Sequence, residues 1–328
     1  MTGADPARRS QLLGLKLAAL VREHLGSDAT VKPGIWPGGA ALVRDDEAWV
    51  LAEDQPQKAL GRALAWARQH ETRSLHVLAE ASTGLLARRA LQFATPAEVW
   101  RVDGRSLVPA LPEGFPREAF VDPALVHFAE LIEQAGAMVV VEHGVLVGEV
   151  EGLEVCRAIR DPYTDECRLE VGVGAHDREA FLLIHGGIPT VDALHMVVST
   201  VADHRREGAE PHPLNRLGAE RAIRARLLRE PALVGAARLQ PASPPVQREN
   251  LKDSVPCVAT GESGDGRPVV VVCSTGIDLD VVPWAADARA ALSDPDARLV
   301  IVVPERDLSP VTLALAASLR HPAQVTAV

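Results

Sequence analysis

Ala40-Ala41-Leu42-Val43-Arg44-Asp45-Asp46-Glu47-Ala48-Trp49-Val50-Leu51-Ala52 is the stretch that decides the fold class. Two apolar runs, 40–44 and 48–52, flank three acidic residues, the pattern of a β-hairpin with buried strands. Upstream, residues 10–25 carry helical spacing and Gly26 supplies a stop. Downstream, an Ala/Leu/Arg helix opened by Pro56 covers 56–69, and a strand at 75–79, a helix at 83–93 and a strand at 98–102 follow. Helix, hairpin, helix, strand, helix, strand predicts an α/β fold, with mixed β-sheets flanked by helices.

Beyond this unit the periodicity stops. Residues 104–122, with Pro109, Pro112, Gly114 and Pro116, read as irregular, which sets an N-terminal unit at 1–110, a linker at 111–122 and a second unit at 123–328. A helix is expected at 123–135, then a β-meander at 138–142, 145–150, 153–159 and 168–173, with turns at His143-Gly144 and Asp161-Pro162. Helices at 177–185, 190–205 and 213–229 come next. The proline-rich 241–245 returns the chain to strands.

The final stretch has the element order of the first. A strand at 269–273, a helix at 278–292, a strand at 298–303, a helix at 309–319 and a strand at 324–328 run in the same sequence. Ala65-Trp66-Ala67-Arg68 corresponds to Ala286-Asp287-Ala288-Arg289, and Pro96–Val102 to Pro322–Val328. The expectation is an internal duplication, with a largely helical insertion at about 150–250 in the second copy.

Composition narrows the function classes. The 328 residues are 47% hydrophobic and 24% charged, which excludes a disordered tail, a collagen-like fibre and a coiled coil. A net charge of −10 argues against nucleic-acid binding through overall charge. Cys156, Cys167, Cys257 and Cys273 are too few for a disulfide framework and form no Cys-x-x-Cys pair, so they read as reduced and mostly buried. Arg8-Arg9 ahead of the apolar run 12–21 has the look of a twin-arginine signal, but Lys16 interrupts the run and no cleavage site follows, so an amphipathic helix is expected. No stretch reaches the ~18–20 apolar residues of a membrane span. The chain reads as cytoplasmic.

The first unit resembles the PD-(D/E)XK nuclease-like superfamily, the restriction-endonuclease-like fold, at Gly38–Arg44, Ala48–Glu53 and the helix around Ala59–Arg68. The last unit is similar at Arg267–Cys273. The resemblance implies phosphodiester hydrolysis, with carboxylates holding Mg²⁺ and a lysine two positions after the second carboxylate activating water. Only four lysines exist, Lys16, Lys32, Lys58 and Lys252, and two positions before them stand Gly14, Thr30, Pro56 and Asn250. No Asp-x-Lys or Glu-x-Lys occurs. Ala40 or Ala41 stands where the first hairpin carboxylate belongs, and the last unit offers Cys273-Ser274-Thr275 in place of carboxylate and lysine. Both copies therefore read as degenerate, with Glu53-Asp54-Gln55 a residual variant of the motif.

The middle segment retains Glu133, Glu154 and Glu170 in the superfamily's order, helix first and then two strands. These are candidate catalytic residues, with Glu154 and Glu170 as Mg²⁺ or Mn²⁺ ligands, against the alternative of solvent-facing glutamates. The turn bearing Gly172, Gly174, His176 and Arg178 is a candidate anion site or an ordinary tight turn. His176, His185, His195 and His204 lack the spacing for zinc on one helical face. Between 205 and 230 seven arginines outnumber four glutamates, and Arg216, Arg221, Arg224 and Arg229 could contact a phosphate backbone or a protein, or form a solvated ion-paired face. Taken together, the sequence leads to a non-catalytic nuclease-like scaffold or binding module contacting a protein or nucleic-acid partner, without membrane and without cofactor. A metal-dependent nuclease using Glu133, Glu154 and Glu170 with Mg or Mn stands as one alternative, and a binder of a small anion at Gly172–Arg178 as another.

Overall fold

A computed structural model describes residues 6–26, 32–174, 177–179, 190–206, 208–210, 212–246, 255–292 and 296–328. The first helix, α1 (Pro6–Leu25), precedes an edge strand β1 (Lys32–Gly34) and the expected hairpin of β2 (Gly39–Arg44) and β3 (Glu47–Ala52). The hairpin register runs from Gly39↔Ala52 to Arg44↔Glu47. Its turn needs a left-handed residue, supplied by Asp45 (φ 53°), a type that tolerates this region. After α2 (Leu60–Gln69), β4 (Ser74–Ala79), α3 (Thr83–Ala90) and β5 (Ala97–Asp103), a short strand β6 (Ser106–Pro109) folds back on β5. The irregular reading of 104–109 is thus corrected: Asp103 pairs with Ser106 across a tight turn whose Gly104 takes φ 60°. Residues 110–122 hold no helix or strand.

The sheet order is β1-β2-β3-β4-β5-β6, with β3, β4 and β5 mutually parallel. One face carries Ala40, Leu42, Trp49, Leu51 and Leu78, packed with Leu17, Leu20 and Val21 of α1. The alternate residues Ala41, Ala48, Val50 and Val77 are buried as well, which is why these strands read as continuous apolar runs. Helix α2 packs on β3 and β4, and α3 on β5.

Two compact units result. The first comprises residues 1–115, 277–291 and 308–325, so it includes α7 (Val281–Leu292) up to Ala291 and all of α8 (Pro310–Ala317), in addition to α1 to α3. Within it α2 runs so close to the start of α7 that a Cβ on Gly61 would sit 2.1 Å from the Leu279 carbonyl oxygen. Gly61→Ala is therefore expected to cost about 1–3 kcal/mol through forced separation of the two helices. A thermal melt within experimental error of the parent would contradict this close approach.

The second unit comprises residues 116–276, 292–307 and 326–328. Its α4 (Phe128–Gln134) follows a short 3-10 turn at Pro123–Leu125, so the single helix expected at 123–135 is split. The meander forms as expected: β7 (Met138–Glu142), β8 (Val145–Val150), β9 (Leu153–Arg160) and β10 (Cys167–Val171), in the order β10-β9-β8-β7. Ile132, Leu146, Val155 and Cys156 share a core with Leu194 and Val198 of α5 (Thr190–Arg205). The helix expected at 213–229 breaks into a 3-10 turn, Pro213–Arg216, and α6 (Ala219–Arg229), because Gly218 adopts φ 59°. Of the helix expected at 177–185, residues 177–179 are helical and the rest lie outside the described residues.

A third sheet has the order β11-β12-β13-β14-β15. Its strands are β11 (Ala236–Ala242), β12 (Cys257–Ser263), β13 (Pro268–Cys273), β14 (Arg298–Val303) and β15 (Gln324–Ala327). The pair β12/β13 is antiparallel and β13/β14 parallel. Pro241 sits in the edge strand β11, where a missing N–H is tolerated. Among the described residues all four cysteines are free, with Cys156, Cys257 and Cys273 buried and Cys167 partly so. Burial pushes the Cys156 thiol up to about 12, which makes it a core group and not a nucleophile.

Candidate functional site

Open parallel sheets bind ligands beyond the carboxyl ends of their strands. In the first unit β3 ends into Glu53 and Asp54 and β4 into Glu80. Lys16 reaches this edge from α1, with its Nζ 2.8 Å from Glu80 Oε1 and 3.7 Å from Glu53 Oε2. Arg9, about two turns earlier on the same face of α1, donates to Asp54 at 2.8 Å. The hydrogen bond to Glu80 raises the Lys16 pKa and outweighs partial burial, so the group is held as an ammonium. It can neutralise charge at this edge; it cannot act as a base while so held. The sequence rule examined only residues two positions from each lysine, whereas these contacts span 37 and 64 positions.

The middle-segment carboxylates meet arginines. Glu154 is buried and accepts from Arg157 at 2.8 and 2.9 Å and from Arg178 at 2.9 Å. Glu170 accepts from Arg168 at 3.1 Å, and Arg178 Nε stands 3.5 Å away. The structure thus brings Glu154 and Glu170 together on Arg178, while Glu133 lies exposed on α4. Among the described residues no group of three or more His, Cys, Asp or Glu is placed to hold a metal ion. Of the trio Glu133, Glu154 and Glu170 expected above, only the latter two are brought together, and a cation at Glu154 would have to displace a buried guanidinium.

The anion-site reading meets the same difficulty. Gly172 and Gly174 do take left-handed backbones (φ 135° and 81°), but the Gly172 N–H donates to the Val155 carbonyl at 2.8 Å and the Val173 N–H to Asp177 at 2.6 Å. Arg178 is bound to glutamates. Among the described residues the Gly172 and Val173 N–H groups, which a free anion would need, already have acceptors. His176 lies outside the described residues, as does His185; His195 is exposed on α5 and His204 stacks on His212 with centroids 3.9 Å apart.

Of the arginines on 213–229 read above as a partner-binding or an ion-paired face, two are ion-paired in the interior. Arg224 is 0% exposed and Arg221 nearly buried, and both bind Glu142 and Glu149. Arg224 Nη2 lies 3.1 Å from Glu149 Oε2. Burial opposes its charge, yet Glu149, with Cys257 and Glu142, more than compensates and the Arg224 pKa is raised. Helix α6 turns these arginines inward because its apolar face, Ala225 and Leu227, packs on the third sheet and carries the adjacent positions with it. Arg229 remains half-exposed, paired with Glu151, and Arg216 is exposed on the 3-10 turn.

A second buried network in the first unit was not anticipated. Arg88 Nε and Nη2 bind Asp287 at 2.8 and 3.0 Å, and the Arg88 guanidinium lies over Phe115 at 4.4 Å. Arg89 binds Asp280 at 2.9 Å and Asp287 at 3.4 Å, and Asp280 also accepts the Gly61 N–H at 3.2 Å. Desolvation raises Asp280 to about 7 despite Arg89. The available signal was Asp287 itself, a carboxylate amid Val281–Leu292, since a charge in an apolar helix requires a partner.

Among the described residues no helix is long and apolar enough to cross a membrane. Compared with family models, curated proteins and solved structures, the chain matches none.

Proposed function

We propose that the chain is a non-catalytic, nuclease-like binding module whose partner is a protein. The observation that carries this reading is the arginine occupancy of its carboxylates: Glu154 and Glu170 share Arg178, and Glu142 and Glu149 share Arg221 and Arg224. Metal-dependent hydrolysis needs carboxylate oxygens open to a cation. The topology of the first and third sheets supports descent of both from one nuclease-like unit by duplication, since each joins an antiparallel pair (β2/β3, β12/β13) to parallel strands. At the hairpin position of the first carboxylate, Ala40 and Ala41 are buried. In the third sheet Cys273 and Ser274 are buried and Thr275 donates to Glu220. A protein is favoured over nucleic acid because the net charge is −10 and Arg221 and Arg224 face inward.

Lys16 between Glu53 and Glu80 favours a second reading, phosphodiester hydrolysis at the edge of the first sheet, with the ammonium offsetting charge on the phosphate and not taking a proton from water. One assay separates the two. The full chain is incubated with Mg²⁺ or Mn²⁺ and labelled single- and double-stranded DNA, beside a Lys16→Ala, Glu53→Ala variant. Equal background in both is expected; cleavage by the parent that the variant lacks would replace the binding-module reading with the nuclease.

A further inference from the structure

With five Trp, five Phe and one Tyr, the chain places most of its few aromatic rings in cores: Trp36, Trp49, Trp66, Trp284, Phe93 and Phe128 are all buried. Among the described residues Trp100 is half-buried and Phe115 is 39% exposed under the Arg88 guanidinium, and two rings stand much further out. Tyr163, the single tyrosine, is 95% exposed and Phe120 is 79% exposed. Both belong to the second unit, at one end of its meander. In an antiparallel order β10-β9-β8-β7 the β7–β8 and β9–β10 turns lie at the same end, and Tyr163 is in the latter. The Phe120 backbone packs on the former, so closely that a Cβ on Gly144 would stand 2.7 Å from the Phe120 carbonyl oxygen.

The tip is held in shape. Asp161 accepts the N–H groups of Tyr163 and Thr164 at 2.9 and 3.0 Å, and these bonds hold its carboxyl at about 2. Arg160 ties Asp165 (2.6 Å) to Asp122 (3.0 Å), and so joins the hairpin to the segment carrying Phe120. Rings presented on a fixed turn lose little entropy on contact. The charge around them is negative: Arg160 faces two carboxylates, Arg168 faces Asp161 and Glu170, and Glu166 is exposed beside them.

We propose that this end of the meander is the docking surface for a basic protein segment, with Tyr163 and Phe120 as its anchors. The proposal rests on the binding-module reading and specifies its partner. Apolar side chains of the segment cover the two rings; its arginines or lysines meet Glu166 and the net negative field of the tip, and stack on the face of Tyr163. Two exposed aromatic rings at one end of a sheet mark a surface suited to covering by a partner.

The test uses the full chain and a fluorescent twelve-residue peptide alternating arginine and leucine, beside a glutamate/leucine counterpart. The basic peptide is expected to bind and the acidic one to fail. Phe120→Ala with Tyr163→Ala should weaken binding on the order of tenfold or more, while Tyr163→Phe retains most of it. Because Tyr163 is the one tyrosine, its nitration, read by mass spectrometry, should slow in the parent when the peptide is bound. Absence of peptide binding, equal affinity in the double variant, or unchanged nitration at saturation would overturn the proposal. So would sedimentation showing self-association that the double variant abolishes, since a second copy would then be the occupant. Peptide bound elsewhere removes this surface and leaves the binding module standing; metal-dependent cleavage lost with Lys16 and Glu53 removes the module reading itself.

Discussion

Arg224→Ala is expected to lower the unfolding free energy of the second unit by about 3–5 kcal/mol, seen as an early denaturant midpoint. Arg224 and Glu149 are both 0% exposed, so truncation leaves Glu149 in the interior with Arg221 as its remaining charge partner. The loss measures an uncompensated buried charge, not the worth of the ion pair against an apolar replacement. Combining Arg224→Met with Glu149→Gln should therefore recover part of the loss, because neither charge is then stranded and the Arg221–Glu142 pair persists. Were Arg224→Ala to cost under about 1 kcal/mol, the inward orientation of α6 would be refuted.

The first unit is expected to gain stability as pH falls. Asp280 ionises at about 7 when folded against 3.8 in its ordinary state, because desolvation outweighs Arg89 and the Gly61 N–H. The folded state is then the tighter proton binder between these values. Stability is greatest below 3.8, declines as pH rises through 7 and levels off above. Between pH 8 and pH 5 the gain should be on the order of 2–3 kcal/mol. Asp280→Asn, which keeps an acceptor for Gly61 but cannot ionise, should remove that slope. His76 of the same unit, lowered from its ordinary 6.5 by burial, acts in the opposite sense as pH falls through 6.5, so the share due to Asp280 is read as the difference between parent and variant. Identical pH slopes in parent and variant would show that Asp280 does not titrate in the folded interior.

Much of the architecture was legible in the chain because it depends on neighbours a few positions apart. The hairpin at 39–52, the meander at 138–171 and the ending 268–303 all announce themselves as apolar runs between turn residues. What escaped notice was short or locally contradictory. Lys32-Pro33-Gly34 carries no apolar run to mark a strand yet pairs at the edge as β1, and Gly218 divides a stretch whose arginine and leucine spacing suggests one helix.

The candidate site was legible only as a set of charges. Glu154, Glu170, Arg178, Arg221 and Arg224 stood out, but as ligands and as a basic face, because a sequence shows which charges exist and not which meet. Arg88 and Asp287 are 199 positions apart, and Arg224 and Glu142 are 82 apart. Lys16 shows the same limit, since its partners come from two strand ends that only the sheet brings level.

By itself, then, the sequence determined an α/β chain with mixed sheets, four scarce lysines and no lysine two positions after a carboxylate. The tertiary structure decided which carboxylates remain open. Alternation and helical period are properties of the local backbone, whereas an ion pair depends on which surfaces pack together and how much water they exclude. That exclusion turned a suspected phosphate-binding face into an internal brace, and it left Tyr163 and Phe120 outside.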